Sequence, residues 1–184
     1  MHNIWFTSDT HFGHDAIRKY CHRPFETVQE MDEIIIKNWN SKVRQTDIVY
    51  HLGDFAFGNS DIVKKYRSRL LGKIHLILGN HDYKNKVYRL TSLFSSINDI
   101  LEVRYNNLSI NLCHYKMCVW NKSHFNSYQL YGHSHGMLTP TGKQMDVGMD
   151  CNNFTPIPIE KILSYMLMQP DNFNFISEEK RIVK

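Results

Sequence analysis

The sequence predicts an α/β fold, and three observations carry that expectation. Short apolar runs, Ile4-Trp5-Phe6-Thr7, Ile48-Val49-Tyr50 and Ile74 to Leu78, read as buried strands. Segments with helical periodicity lie between them, so the first half alternates β with α, the pattern of a parallel sheet with crossover helices. The second half changes character, to alternating strands joined by turn residues. No linker, repeat or compositional break divides the 184 residues, so one domain over 1–184 is expected.

The first strand, Ile4 to Thr7, ends at Ser8-Asp9-Thr10-His11. Gly13 to Tyr20 reads as a short helix closed by a loop at His22-Arg23-Pro24. Thr27-x-x-Glu30 is a capping box, opening a helix whose Val28, Met31, Ile35 and Trp39 mark one apolar face. The strand after it ends at Leu52-Gly53-Asp54, where Gly53 lets the chain turn without a Cβ in the way. Ser60 is placed to cap a helix carrying Val63, Tyr66 and Leu70, with Gly72 ending it. Ile74 to Leu78 empties into Gly79-Asn80-His81-Asp82, and Val87 to Phe94 is expected to be helical.

Ile97 to Tyr105 and Leu108 to Leu112 flank Asn106-Asn107, a hairpin signal. Leu108, Ile110 and Leu112 alternate with Ser109 and Asn111, as in a strand with one buried face. Tyr128 to Tyr131 leads into Gly132-His133-Ser134-His135, and a second hairpin is expected around Pro140-Thr141-Gly142, returning through Gln144 to Gly148. Pro158, then Ile159, Ile162, Leu163 and Met166 at helical spacing, gives the last helix. The tail from Asp171 holds a candidate strand at Phe173, Phe175 and Ile176.

Composition narrows the function classes. Hydrophobic content of 42% with 22% charged residues is ordinary for a globular protein. The net charge of +4 suits an anionic substrate but is far from a nucleic-acid-binding tail. No apolar run reaches the ~20 residues needed to span a bilayer, and Met1 to Ser8 lacks the pattern of a signal peptide, so no membrane partner and a cytoplasmic location are expected. The four cysteines have no framework spacing, and no second pair completes Cys113-x4-Cys118 as a zinc site.

Eleven histidines are the unusual figure, and several follow apolar runs directly. Asp9 and His11 lie two apart, so both side chains of an extended segment project to one side, as ligands of one ion would. His133 and His135 have the same spacing. Asp54 alone would be a turn or cap residue; together with Asp9, Asn80, His114 and these histidines it makes a mixed oxygen–nitrogen donor set, with Asp54 placed to bridge two adjacent divalent metal ions. Without thiolate ligands such a set favours Mn²⁺, Fe, Zn²⁺ or Ni²⁺, manganese first.

Asp9-x-His11, Gly53-Asp54, Gly79-Asn80-His81-Asp82, His114 and Gly132-His133-Ser134-His135 resemble the ordered motifs of the calcineurin-like metallophosphoesterases, nearest to the small, cap-less bacterial and phage members. The resemblance spans most of residues 1–150. It implies a four-layer α/β/β/α sandwich with two mixed β-sheets. It also implies one metal on Asp9, His11, Asp54 and His135 and a second on Asp54, Asn80, His114 and His133. His81 would face the substrate as proton donor, a role worth typically ~10²–10⁴ in rate, while metal-activated water attacks a phosphate mono- or diester. Asp82 would hold the loop through backbone N–H groups.

The resemblance has departures. Asp54 is followed by Phe55-Ala56-Phe57-Gly58, without the Asp and Arg that protein phosphatases of the superfamily place there. Lys116 stands after His114-Tyr115, where small members often have Pro, and is a candidate phosphate contact. His14 and Arg18, four apart on the first helix, are candidate substrate contacts. The expected partner is a small phosphorylated or nucleotide-type substrate. A nuclease acting on DNA or RNA is the rival enzyme reading, but no interleaved basic–aromatic strip accompanies the small cluster Lys84, Lys86 and Arg89. A scaffold that has lost catalysis is the rival of another class, and it would be expected to have lost ligands that all stand here.

Overall fold

The structure, a computed structural model, describes residues 2–172. In chain order its elements begin β1 (Ile4–Thr7), α1 (Asp15–Tyr20), α2 (Val28–Lys42), β2 (Ile48–His51), α3 (Ser60–Arg67), β3 (Lys73–Ile77) and α4 (Asn80–Lys84). They continue β4 (Ser96–Asn98), β5 (Ile100–Tyr105), β6 (Leu108–Cys113), β7 (Tyr128–Tyr131), β8 (Gln144–Asp146), β9 (Ile157–Pro158) and α5 (Ile159–Leu167).

Among the described residues the strands form two mixed sheets, as the resemblance implies. One has the order β4-β3-β2-β1-β9, parallel except for β9; the other has the order β5-β6-β7-β8, with only β5 antiparallel to its neighbour. Apolar residues alternate along the first sheet and feed two cores. Trp5, Val49, Ile74 and Leu76 pack with Ile17, Met31, Ile35, Trp39, Val63 and Tyr66 of α1, α2 and α3. Phe6, Leu52 and Ile77 face the other way, into a core shared with Ile110, Leu112, Tyr128 and Leu130 of the second sheet and with Ile162 and Met166 of α5. The strands β1, β2 and β3 and the strands β6, β7 and β8 thus release their carboxyl ends at neighbouring edges. An isolated parallel bridge from Ser8 to Gly148 joins the two sheets there.

Several elements differ from the sequence reading for physical reasons. Gly13 lies outside α1, at φ +75°. Thr27 caps α2 by accepting the Glu30 N–H, but the Glu30 carboxylate reaches the Glu26 N–H rather than that of Thr27. Asn59, not Ser60, caps α3: its Oδ1 accepts the N–H groups of Asp61 and Ile62. The helix stops at Arg67, whose guanidinium bonds the carbonyls of Leu70, Gly72 and Leu93. Residues 80–84 form a helix the sequence reading missed, and Val87 to Phe94 is two 3₁₀ turns. Ile97 belongs to β4 in the first sheet, separated from β5 at Asp99.

The second sheet departs most. Asn106 and Asn107, at φ +45° and +68°, make the expected β5–β6 hairpin. The 140–142 segment does not close a hairpin, because β8 runs parallel to β7. Nor has β6 one solvent face. Asn111, Gln129 and Gln144 stand opposite one another across β6, β7 and β8, and their amides bond the backbone of Tyr115, Met117 and Asn121. The 115–127 segment is pinned over that face, with Trp120 buried and its indole N–H on Ser127 O. Phe173, Phe175 and Ile176 lie outside the described residues.

Asn59→Ala is expected to cost about 1 kcal/mol in chemical denaturation through loss of the cap. Ser60→Ala should stay within about 0.5 kcal/mol of the parent. The reverse ranking would restore Ser60 as the cap.

Candidate metal centre

The chain turns sharply at the ends of β1 and β2 and again between β7 and β8. Asp9, His11, Asp54, His133 and His135 all have left-handed backbone, at φ +57°, +49°, +55°, +65° and +47°. Non-glycine residues held there cost of order 1–3 kcal/mol each and persist only where the surroundings enforce them. Here they do. The Asp9 N–H bonds Gly53 O at 2.9 Å and the His11 N–H bonds Asp54 O at 3.0 Å, locking the two turns together. Gly53 lies at φ +94°, and a Cβ on it would meet Gly79 N and His114 Nδ1 at 2.6 Å.

Asp82 is fully buried and accepts the backbone N–H groups of Asp54, Phe55 and Gly79 at 2.8, 3.1 and 2.9 Å. It holds the turn that presents Asp54 and the start of α4, as its place in the motif implies. Asp146 does the same for residues 132–136, accepting from Ser134 Oγ and the Gly136 N–H.

The side chains converge. Asp54 Oδ1 accepts the His81 N–H at 2.9 Å, which leaves Oδ2 facing His11 Nε2 at 3.6 Å, His114 Nε2 at 3.6 Å and His81 Nε2 at 3.9 Å. Asp9 Oδ2 accepts the His133 N–H, and Oδ1 faces His11 Nε2 at 3.7 Å and His135 Nε2 at 3.9 Å. Asn80 Oδ1 lies 3.3 Å from His114 Nε2. Asp9, His11 and His135 form one group whose donor atoms lie within 4.8 Å of one another; Asp54, His114 and His133 form another, and His11, Asp54 and His81 a third between them.

Two of the imidazoles are aimed by a bond on the far nitrogen. His114 Nδ1–H donates to Leu52 O at 2.7 Å, and His135 Nδ1–H donates to Asp150 Oδ2 at 2.7 Å, so both turn Nε2 inward. His51, the neighbour on β2, is satisfied within the core. Thr10 Oγ1 donates to Phe55 O and therefore accepts from His51 Nε2–H, while His51 Nδ1 accepts the Gly53 N–H.

Titration reflects the crowding. Burial, with the carboxylates of Asp9 and Asp82 nearby, pushes Asp54 up to about 8. Burial works the same way on Asp9, but the surrounding His11, His114 and His135 outweigh it and hold its carboxyl below the usual range. Burial presses His11 down to about 4. It also opposes protonation of His135, yet the Asp150 bond, the Cys21 thiol and the Asp9 charge hold that ring up at about 10.

The donors fit divalent cations. Asp9 Oδ1 and His11 Nε2 are buried without a hydrogen-bond partner, which in a protein interior costs about 1–3 kcal/mol per group unless something else is bound there. A cation between these atoms would satisfy both.

Of the candidate substrate contacts, the structure brings His14 to the centre and leaves the other two away from it. His14 stacks on Phe57 at 4.2 Å and lies 5.4 Å from the His81 ring. Arg18 bonds Asp15 and the carbonyls of Phe25 and Glu26, because it closes the loop after α1. The Lys116 ammonium is taken by Thr139 O and Thr141 Oγ1 at 2.9 and 3.1 Å. Arg23 and Asp150, an ion pair against the Asp9 turn, escaped the sequence reading. The signal available for Asp150 was its place just beyond Asp146-Val147-Gly148; nothing local marks Arg23.

Comparison with known proteins bears on the family and the fold. Residues 3–145 match the model of the calcineurin-like phosphoesterase superfamily domain. The chain is similar to the uncharacterized protein MJ1445 of Methanocaldococcus jannaschii, at 34% identity over 173 residues, 89% of this chain and 90% of that protein. It is also similar to the gene 66 protein of Mycobacterium phage D29, at 27% identity over 180 residues, 82% of this chain and 89% of that protein. Among solved structures, AQ665 of Aquifex aeolicus, a protein of unknown function, shares the fold with a TM-score of 0.72 at 23% identity, covering 90% of this chain and all of that one.

The titration has a thermodynamic consequence for the metal-free chain. Asp54 keeps its proton to about pH 8 folded against 3.8 as a free side chain, and His135 to about 10 against 6.5. Both groups favour the folded state fully below the lower value and lose that contribution as pH rises toward the higher one. The depressed histidines are neutral in both states only from about pH 7.5 upward. Chelated protein should therefore melt at falling temperature from about pH 7.5 to 9, with a shallower slope for Asp54→Asn. A melting temperature that rises over that interval would contradict the described packing.

Proposed function

The chain belongs to the calcineurin-like phosphoesterase superfamily, and from that premise we propose that it hydrolyses a small phosphodiester or phosphomonoester at two divalent cations. In this reading Asp9, His11, Asp54 and His135 hold one cation, and Asp54, Asn80, His114 and His133 hold the other. The observation that carries it is the convergence of donor atoms from five chain segments, with Asp9 Oδ1 and His11 Nε2 buried and unpartnered among them. Carboxylate, carboxamide and imidazole donors without thiolate suit Mn²⁺, Fe, Zn²⁺ or Ni²⁺.

When bound, the cations supply charge that polarises the phosphoryl oxygens and activates water as the nucleophile. The chain's residues supply the rest. Asp54, common to both sets, would offset repulsion between two like charges. The inward Nε2 atoms of His114 and His135 need no reorganisation, because their Nδ1–H groups are already spent on Leu52 O and Asp150. His81 stands at the partly open side with Nε2 turned toward Asp54, and gives its proton to the departing alkoxide. Burial and the Lys84 charge press its titration below the ordinary value, so it binds its acidic proton only beside an anionic substrate. His14 and Phe57 wall the same side, with the Lys84 ammonium 5.8 Å from the Phe57 ring centre. A substrate phosphate entering beside His81 meets positive charge there.

Purified protein with Mn²⁺ is expected to cleave bis-p-nitrophenyl phosphate or p-nitrophenyl phosphate, and Asp54→Asn to lose that activity. His81→Ala should keep both cations and lose ~10²-fold or more in kcat. Equal turnover by the parent and Asp54→Asn would refute the reading, and a metal-depleted His81→Ala would make His81 a ligand instead.

A further inference from the structure

We propose that the buried Arg23–Asp150 pair positions one half of the centre, setting the affinity of the cation held by Asp9, His11 and His135 with little influence on the other. This rests on the two-cation reading above. Arg23 is 4% exposed and lies in the loop after α1, 127 residues from its partner. Its Nε and one Nη grip the two Asp150 oxygens, each at 2.8 Å. The same guanidinium donates to Asp9 O at 2.7 Å and to Thr10 O at 3.2 Å.

One planar group thus holds the left-handed turn that carries Asp9 and, through Asp150, the ring of His135. The Asp150 carboxylate takes the His135 Nδ1–H, which fixes that proton on the far nitrogen and aims Nε2 at Asp9 Oδ1. Ligating imidazoles oriented by a carboxylate lose typically 10–100-fold in metal affinity when it is removed. A buried ion pair is by contrast a weak stabiliser, because desolvation offsets its attraction. The placement of this pair therefore favours orientation over stability as its purpose.

The other half has separate anchors. His114 is held by Leu52 O, and the turns bearing Asp54 and Asn80 by Asp82. None of these touches Arg23 or Asp150. The halves meet at the shared Asp54, at the His133 N–H on Asp9 Oδ2 and at the backbone bonds from Asp9 to Gly53 and from His11 to Asp54, none of which involves the Asp150–His135 bond.

The test is a calorimetric titration of the chelated full chain with Mn²⁺, with metal content measured after equilibrium dialysis. Asp150→Asn and Arg23→Lys are compared with the parent, and thermal melting of each metal-free variant confirms folding. Arg23→Lys keeps the charge but loses the fork, so it decides the matter if Asp150→Asn does not fold. The expected result is two cations on the parent, and in the variants one binding step weakened 10–100-fold with the other within about threefold. The NMR signal of the His135 Nδ1–H, present in the parent, should be lost or shifted in Asp150→Asn. Variants that bind both cations like the parent, or folded variants that weaken both steps equally, overturn the proposal. A parent that binds no cation at this centre overturns the two-cation reading itself, and this inference with it.

Discussion

The Asp54 carboxylate is the constraint on which the rest of the molecule depends. Its Oδ2 stands between imidazoles delivered by β1 on one side and β6 on the other, while Asp9 and Asp82 crowd it with like charge. In an apolar interior such a cluster is unfavourable by itself. The chain nevertheless builds it with care: Asp82 uses both oxygens to hold the turn, and Gly53 and Gly79 leave out the side chains that would fill it. A fold selected for stability alone would have packed apolar residues there. Positive charge supplied from outside turns the same cluster from a liability into a binding site.

Backbone strain points the same way. Five of the seven candidate ligands are non-glycine residues in left-handed conformation. Each lies in a turn just beyond a strand, where an extended continuation would carry the side chain past the centre. The rigid part of the device is the pair of sheets; the strained part is the set of turns at their edges, tied together by backbone hydrogen bonds between the Asp9 and Asp54 turns and by the Ser8–Gly148 bridge. That division explains how ligands scattered from Asp9 to His135 can be held without a long rigid scaffold of their own.

Much of this was legible in the sequence, because polar residues at the ends of short apolar runs are a local pattern. Asp9, His11, Asp54, Asn80, His114, His133 and His135 could be picked out by that rule, and the structure brings them to one place. Asp82 could be assigned its N–H-binding role from its turn. What was not legible depends on partners distant in the chain. The parallel direction of β8 is set by its neighbour β7, whereas Pro140-Thr141-Gly142 taken locally spells a hairpin. The buried outer face of β6 depends on the amide row of Asn111, Gln129 and Gln144 gripping another segment, so Ser109 and Asn111 misread as solvent-facing. Arg23 and Asp150 look like ordinary loop charges until the fold places them together. The direction of β8 matters for the site as well, since it brings Asp146 and Asp150 to the edge where the ligands gather.

The central claim is that two cations sit side by side, sharing Asp54. Anomalous X-ray scattering from crystals grown with Mn²⁺ tests it most directly. The account requires two peaks, one against Asp9, His11 and His135 and one against Asn80, His114 and His133, with the Asp54 carboxylate between them. A single peak, or peaks that leave Asp54 without a cation on either side, would contradict it.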